Sequence, residues 1–497
     1  MEPPIYKNPK SVPLLGFLLQ YVAIPMQKQY IYRRIIATTM KNTILSLLSL
    51  LVLSCAASGD WKTGDGATVK NGELALASGD RLTSIKEYRN FIMSGKAFTA
   101  KGAEASLLFH TDGESGYEVI LHNGAIDGTR KTGSLAAVRN LYRSLAEDSC
   151  WFDFQVAVRG KNIAVSINGI DVVCYTEPDA PYRTAEYAKR LLSSGAIILQ
   201  AKEGDTKFKD IAIVELGDDV RNENDTLPAV DEQNDAIIRL QQQNFPVIDY
   251  HVHLKGGLTK EMAHAMSMNY GINYGVAPNA GEGGVGRMLA DDKEVYEYYE
   301  EVKPLPFLCG VQGEGRRWTK TFSQEALGIF DYLFTDAMTI RDHKNRNSRI
   351  YRAEEVHYDG VTKEQYMDRI VEQTVKILTN EPADIFANPT YIPDDMNVDY
   401  DKYWTDERIE KVLDVLEQHS IALEINPRYR IPSLKIISMA KERGLKFTFG
   451  TNNVDANFGR LEYCIEAIEK CGITAEDIWF PSMSVRRTRP VIIYNVD

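Results

Sequence analysis

The run Pro246-Val247-Ile248-Asp249-Tyr250-His251-Val252-His253-Leu254 sets two imidazoles two residues apart on a segment that reads as a strand. Side chains at i and i+2 of a strand point the same way, so both rings can reach one metal ion. Further along, polar residues recur where short β-rich runs end: Asn279, Glu314, Asp336, Asn388, Asn426 with Arg428, and Asn452 with Asn453. In a β/α barrel such ends converge on one face. A series of this length predicts a pocket lined with polar groups.

The elements that must position these residues follow from hydrophobic periodicity. From Phe245, short β-rich runs alternate with helical ones. The strand candidates are 247–251, 274–278, 307–312, 332–335, 385–388, 421–425 and 446–450, with 478–481 as an eighth strand or a tail. Helical patterns cover 260–269, 363–379, 406–419, 433–443 and 459–470. This alternation implies parallel strands with helical crossovers, closed into a barrel. Residues 60–217 instead alternate with period two. Runs at 69–76, 91–99, 106–110, 117–121, 152–158, 163–167, 171–175, 196–201 and 207–216 read as short strands, with Asn168-Gly169 and Gly160-Lys161 as tight turns. That pattern gives an all-β sandwich or jelly roll. Residues 218–244 read as an acidic linker running into a short helix, and the barrel domain takes 245–497.

The first 54 residues read as an address. Basic residues from Lys7 to Lys41, an apolar stretch Ile44–Leu53, then Ser54-Cys55 have the layout of an export signal, with Met40 as the start. Val52-Leu53-Ser54-Cys55 resembles the lipobox of bacterial lipoproteins. The resemblance implies lipidation of Cys55 and attachment to the cell envelope of a Gram-negative bacterium by a lipid anchor, without a membrane span. The five other cysteines cannot all pair with one another. With 69 acidic against 57 basic residues the 497-residue chain carries a net charge of -12, which leaves no electrostatic footprint for nucleic acid.

Two resemblances sharpen this. Ile248–Leu254, Phe307–Glu314, Leu423-Glu424-Ile425-Asn426 and Gly444–Gly450 resemble motifs of the PHP (polymerase and histidinol phosphatase) domain family, over about residues 245–480. The resemblance implies a distorted (β/α)7 barrel of metal-dependent phosphoesterase ancestry. The chain departs from it at Ala277-Pro278-Asn279, Asn388-Pro389 and Gly450-Thr451-Asn452-Asn453-Val454, where the family has acidic and histidine ligands. Asn is a poor ligand beside imidazole or carboxylate. His251, His253 and Glu314, with Asp336, could then hold one Zn2+ or Mn2+. Alternatively there is no metal, and Asn279, Asn388, Asn426, Arg428, Asn452 and Asn453 bind sugar hydroxyls as donors and acceptors.

Residues 60–217 resemble the 3-keto-disaccharide hydrolase family, also described as 3-keto-glucoside 1,2-lyase/3-keto-2-hydroxy-glucal hydratase. The matching pieces are Gly116-Tyr117-Glu118-Val119, Thr132–Leu135, Trp151, Ile167-Asn168-Gly169, Gly195–Gln200 and Phe208–Ile211. The resemblance implies a concanavalin-like jelly roll that acts on a carbohydrate. A C3 ketone acidifies the C2 proton, so a base can remove it and expel the C1 substituent; water then adds to the product. Glu118 is the candidate base, His110 a candidate acid or base, and Gln200, Lys202 and Arg130 candidates for polarising the ketone. The alternative is a metal-dependent hydrolase in the barrel, with a sandwich that only binds glycan through stacking by Tyr117, Tyr142 and Trp151.

Overall fold

The computed structural model describes residues 61–63, 68–70, 72–218, 229–281 and 286–485. The address segment 1–54 and Cys55 lie outside them. Period-two alternation becomes twelve strands: β1 Trp61–Thr63, β2 Thr68–Lys70, β3 Glu73–Leu76, β4 Arg81–Ser84, β5 Phe91–Thr99, β6 Glu104–Thr111, β7 Tyr117–His122, β8 Trp151–Arg159, β9 Asn162–Ile167, β10 Ile170–Thr176, β11 Ala196–Glu203 and β12 Thr206–Glu215. They form two antiparallel sheets, in orders β1-β4-β11-β6-β7 and β10-β9-β8-β5-β12-β3-β2. Every second residue faces the core between them, including Leu107 and Phe109, Tyr117 and Val119, and Phe152 and Phe154. Asn168 and Gly169 take φ of 51° and 76°, the left-handed pair that a two-residue hairpin between β9 and β10 demands. The expected strand 69–76 is a hairpin of two strands, because Gly72 at φ 80° turns the chain inside it. The short edge strand β1 and its neighbour β4 gave too little alternation to read.

The barrel sheet is built from β13 Ile248–Val252, β14 Asn273–Val276, β15 Asn279–Gly281, β16 Met288–Leu289, β17 Leu308–Glu314, β18 Tyr332–Thr335, β21 Ile385–Phe386, β22 Ala422–Ile425 and β23 Phe447–Phe449, while β19 Thr339–Arg341 and β20 Asn347–Arg349 form a separate hairpin. Seven parallel strands close on themselves in the order β14-β13-β23-β22-β21-β18-β17, with β17 pairing back to β14. Ile478 makes one parallel bridge to Phe447 and goes no further, so residues 478–481 are a tail rather than an eighth strand. The helix Asp292–Val302 has no aliphatic stripe to betray it. Its buried face is Val295, Tyr298 and Val302, and Asp291 caps it. Among the described residues no helix is long and apolar enough to cross a membrane, and all five described cysteines are free thiols.

The sandwich seats on the end of the barrel where strands begin. Asn273 opens β14; its amide donates to Asn140 O (2.8 Å) and its Oδ1 accepts from Tyr142 N (3.2 Å). Arg143 reaches Phe307 O and Asp331 Oδ2, just before β17 and β18. His264, in the helix Lys260–Tyr270, bonds Asp171 O of β10. The deepest contact is Arg139, whose Nε donates to Asn269 O at 2.6 Å. Beside it Glu232, fully buried, accepts from Arg183 Nη1 at 2.8 Å and from Tyr182 N at 2.9 Å, with Arg139 Nη1 at 3.9 Å. Removing one partner of a buried ion cluster leaves an uncompensated charge. Arg139→Ala is therefore expected to lower the unfolding free energy by about 3 kcal/mol, read by chemical denaturation. A loss under 1 kcal/mol would mean that Arg183 alone satisfies Glu232.

Candidate functional site

The barrel mouth is a continuous buried network. His251 leaves β13 pointing inward, where its Nδ1 meets Glu424 Oε2 of β22 at 2.7 Å, with both side chains 1% exposed. Its Nε2 lies 3.2 Å from His253 Nε2 and 3.2 Å from Gln312 Oε1. His253 turns its Nδ1 onto Ala277 O (2.9 Å), an atom that only accepts, so this nitrogen donates. The two Nε2 atoms face each other across 3.2 Å. Asn453 clips the His253 backbone from both sides: its Oδ1 accepts from His253 N (2.8 Å) and its Nδ2 donates to His253 O (2.9 Å). Gly450 is required here. A Cβ at that position would overlap the Glu424 carboxylate and come within 2.7 Å of His251 Cβ.

The amides form the other half of the network. Gln312 Nε2 and Asn388 Nδ2 both donate to Asp336 Oδ2, at 3.2 and 3.3 Å. Asn388 Oδ1 accepts from Asn426 and Asn452, at 2.9 and 2.8 Å. Glu424 Oε1 takes Asn388 N and Asn426 Nδ2. Arg428 lies at the rim and donates to Asn452 O. Asn279, whose N bonds Arg287 O, stands at the head of β15, in register with Gln312 of β17. Burial, reinforced by the charge of Asp336, raises the Glu314 carboxyl to about 7. Burial also raises Asp336, and it pushes His253 well below the usual imidazole range, with His251 adding to the effect.

The metal ligand set drawn from the sequence does not assemble. Among the described residues no group of three or more His, Cys, Asp or Glu side chains is placed to hold an ion. His251 and His253 converge, but Gln312 stands between them and Asp336, and two amide N–H groups cover the Asp336 oxygen that a cation would need. Glu314 makes no bond to either imidazole. Two imidazoles and a neutral amide do not supply the anionic ligands of a PHP-type centre. Asn388, Asn426 and Asn452 do meet, as a ring bonded to one another. Glu424 and Gln312 are the members that sequence reasoning missed. Glu424 sits in the run Leu423-Glu424-Ile425-Asn426, two residues before Asn426.

The sandwich carries a second cluster. Tyr117 and Val119 of β7 enter the core, so Glu118 faces outward from the five-stranded sheet. Its Oε1 meets Lys202 Nζ at 2.6 Å and its Oε2 meets Arg190 Nη2 at 3.0 Å. Ser106, next to it on β6, also bonds it and takes the Gln200 amide at 2.8 Å. Burial alone would raise Glu118, but Lys202, Arg190 and Ser106 together hold it below the usual carboxylate range. Arg130 joins from a distance: its guanidinium lies 6.0 Å from the Tyr187 ring, and Arg190 lies 4.1 Å from the same ring. His110 is not part of the cluster. Its Nε2 bonds Arg89 O (2.8 Å) and its Nδ1 accepts from Ser193 N (3.1 Å), so both ring nitrogens hold backbone. Tyr117 and Tyr142 are buried and cannot stack on a ligand; Trp151 is half-buried under Lys209 Nζ, 4.0 Å from its ring. Arg190 lay in a loop with no pattern to mark it.

Comparison with known proteins bears on this second cluster. Residues 55–214 match the 3-keto-alpha-glucoside-1,2-lyase-like domain. No curated protein matches the chain. Among solved structures, a candidate glycosyl hydrolase from Parabacteroides distasonis is 17% identical, with 32% of this chain and 89% of that one covered and a TM-score of 0.30. The histidinol phosphate phosphatase of Lactococcus lactis, solved with zinc, L-histidinol and phosphate, is 14% identical, covering 47% of this chain and 99% of that one at a TM-score of 0.36. A carbohydrate-binding module from Bacillus subtilis is 12% identical over 31% of this chain and 94% of its own, at 0.24.

The hydrogen bond between His251 and Glu424, at 2.7 Å, joins two ionisable side chains at the mouth. Glu424→Gln keeps the shape and removes the charge. It is expected to lower stability by about 2 kcal/mol and to change the nitrogen-15 signature of the His251 ring, measured by denaturation and by NMR. Unchanged values in both would show that the pair is not charge-assisted.

Proposed function

We propose that the sandwich cleaves 3-keto-glycosides by elimination and hydration, on the outer face of its five-stranded sheet. The observation that carries this reading is Glu118 held between Lys202 and Arg190 beside Gln200, within a segment that matches the 3-keto-alpha-glucoside-1,2-lyase-like domain. Glu118 removes the C2 proton. The C1–O bond breaks, the double bond forms between C1 and C2, and the departing alkoxide takes a proton. Water then adds across that double bond, its hydroxyl to C1 and its proton to C2, so the net reaction is hydrolysis.

The pair also sets the timing. Burial, the largest influence on Glu118, works to raise its proton affinity, and the cations oppose it. Lys202, the more exposed partner at 35%, can turn from Glu118 to the C3 oxygen of a bound ketone. The ketone then gains a charge that stabilises the enolate, while the carboxylate left behind becomes a stronger base. Gln200 adds a neutral donor, and Arg190 keeps Glu118 in place. Cys55 lies outside the described residues; the sequence of 40–55 supports export and a lipid anchor as part of this reading.

The test is turnover of a 3-keto-glucoside with a chromogenic leaving group. Glu118→Gln is expected to lower kcat/KM by about 100-fold or more. Lys202→Ala should lower it less and shift the acid limb of the pH profile upward, because Glu118 without its closest cation holds its proton to higher pH. Activity unchanged in Glu118→Gln would overturn the assignment.

A further inference from the structure

We propose that the cavity beside His253 at the barrel mouth is a second carbohydrate site, taking one neutral sugar ring without a metal. The cavity measures about 300 Å3, at the low end of small-molecule sites (about 300–1,000 Å3), which is room for a single ring. His253 at the end of β13 and Ala277-Pro278 beyond β14 form its inner side, and Leu254, Leu258 and Tyr298 line its wall.

The rim selects the ligand. Lys260 and Arg287 face Glu261 and Glu301, so the formal charges cancel. Glu301 pairs with both cations: Arg287 Nη1 lies 2.5 Å from its Oε2 and Lys260 Nζ 3.7 Å from its Oε1. A phosphate or carboxylate would meet repulsion as well as attraction. A polyol meets donors and acceptors on adjacent groups, the arrangement that vicinal hydroxyls satisfy. These three side chains keep 30–42% exposure, and Arg287 is held over the Tyr298 ring at 4.9 Å, so the donors and acceptors of the rim are already in place. Leu254, Leu258 and Pro278 offer carbon surface to the C–H face of the ring. His253 presents the carbon edge of its ring, because its Nδ1 bonds Ala277 O and its Nε2 faces His251 Nε2. The amide network behind it, with its covered Asp336 oxygen, adds no open anion for a cation. The site is separate from the Glu118 cluster and does not depend on the reading of the sandwich.

Saturation-transfer NMR and calorimetry on the full chain would use the methyl glycosides of glucose, galactose, mannose and N-acetylglucosamine, in the presence of EDTA. At least one glycoside is expected to bind. Arg287→Ala and Glu301→Gln, both surface changes, should each weaken it 10-fold or more while thermal unfolding stays the same. Glu118→Gln should leave the affinity unchanged. Four results would each overturn the proposal: no glycoside binds, EDTA abolishes binding, inorganic phosphate displaces the glycoside, or Glu118→Gln removes binding that both cavity variants keep.

Discussion

A carboxylate sealed away from water must keep its cations, and Glu232 is such a group. Its two guanidinium neighbours, Arg139 and Arg183, come from the sandwich, while Glu232 itself lies in the segment leading to the barrel. Arg139 continues to Asn269 O at the end of a barrel helix. One buried cluster thus fixes the linker, the sandwich and the barrel together. Ion clusters of this kind add little net stability over apolar packing, but they tolerate few alternative arrangements. The docking they specify uses the strand-start end of the barrel and leaves the strand-finish end open. The rest of the molecule inherits that polarity.

The two candidate centres differ in how they manage buried charge. At the sandwich face an acid is balanced by cations that can move, because Lys202 retains exposure. At the mouth, acids are balanced by amide and imidazole N–H groups that cannot move, because every member is packed against another. The first arrangement suits a step in which charge is redistributed. The second suits a rigid wall against which a neutral molecule is placed. Asn388, Asn426 and Asn452 bond one another there, so the network closes on neutral groups.

Much of the architecture was legible because it rests on local pattern. Asn168-Gly169 fixed a hairpin, and Tyr117-Glu118-Val119 showed which side of β7 faces the core. The His251/His253 spacing placed both rings on one side of a strand. What could not be read depended on partners far apart in sequence. Arg190 is 72 residues from Glu118, and Glu424 is 173 from His251; no spacing rule links them. Gln312 carries no mark of its own, because its partners His251 and Asp336 lie 61 and 24 residues away. His110 misled because a histidine at a strand end looks reactive until its two backbone contacts are seen.

Because the sandwich closes the strand-start end of the barrel, the open mouth looks away from it. No internal passage is implied between the sheet face and the mouth. Whatever leaves one must cross bulk solvent to reach the other, where it is diluted and can be intercepted by competing proteins. Any cooperation between the two would rest on shared tethering and local concentration, not on direct handover.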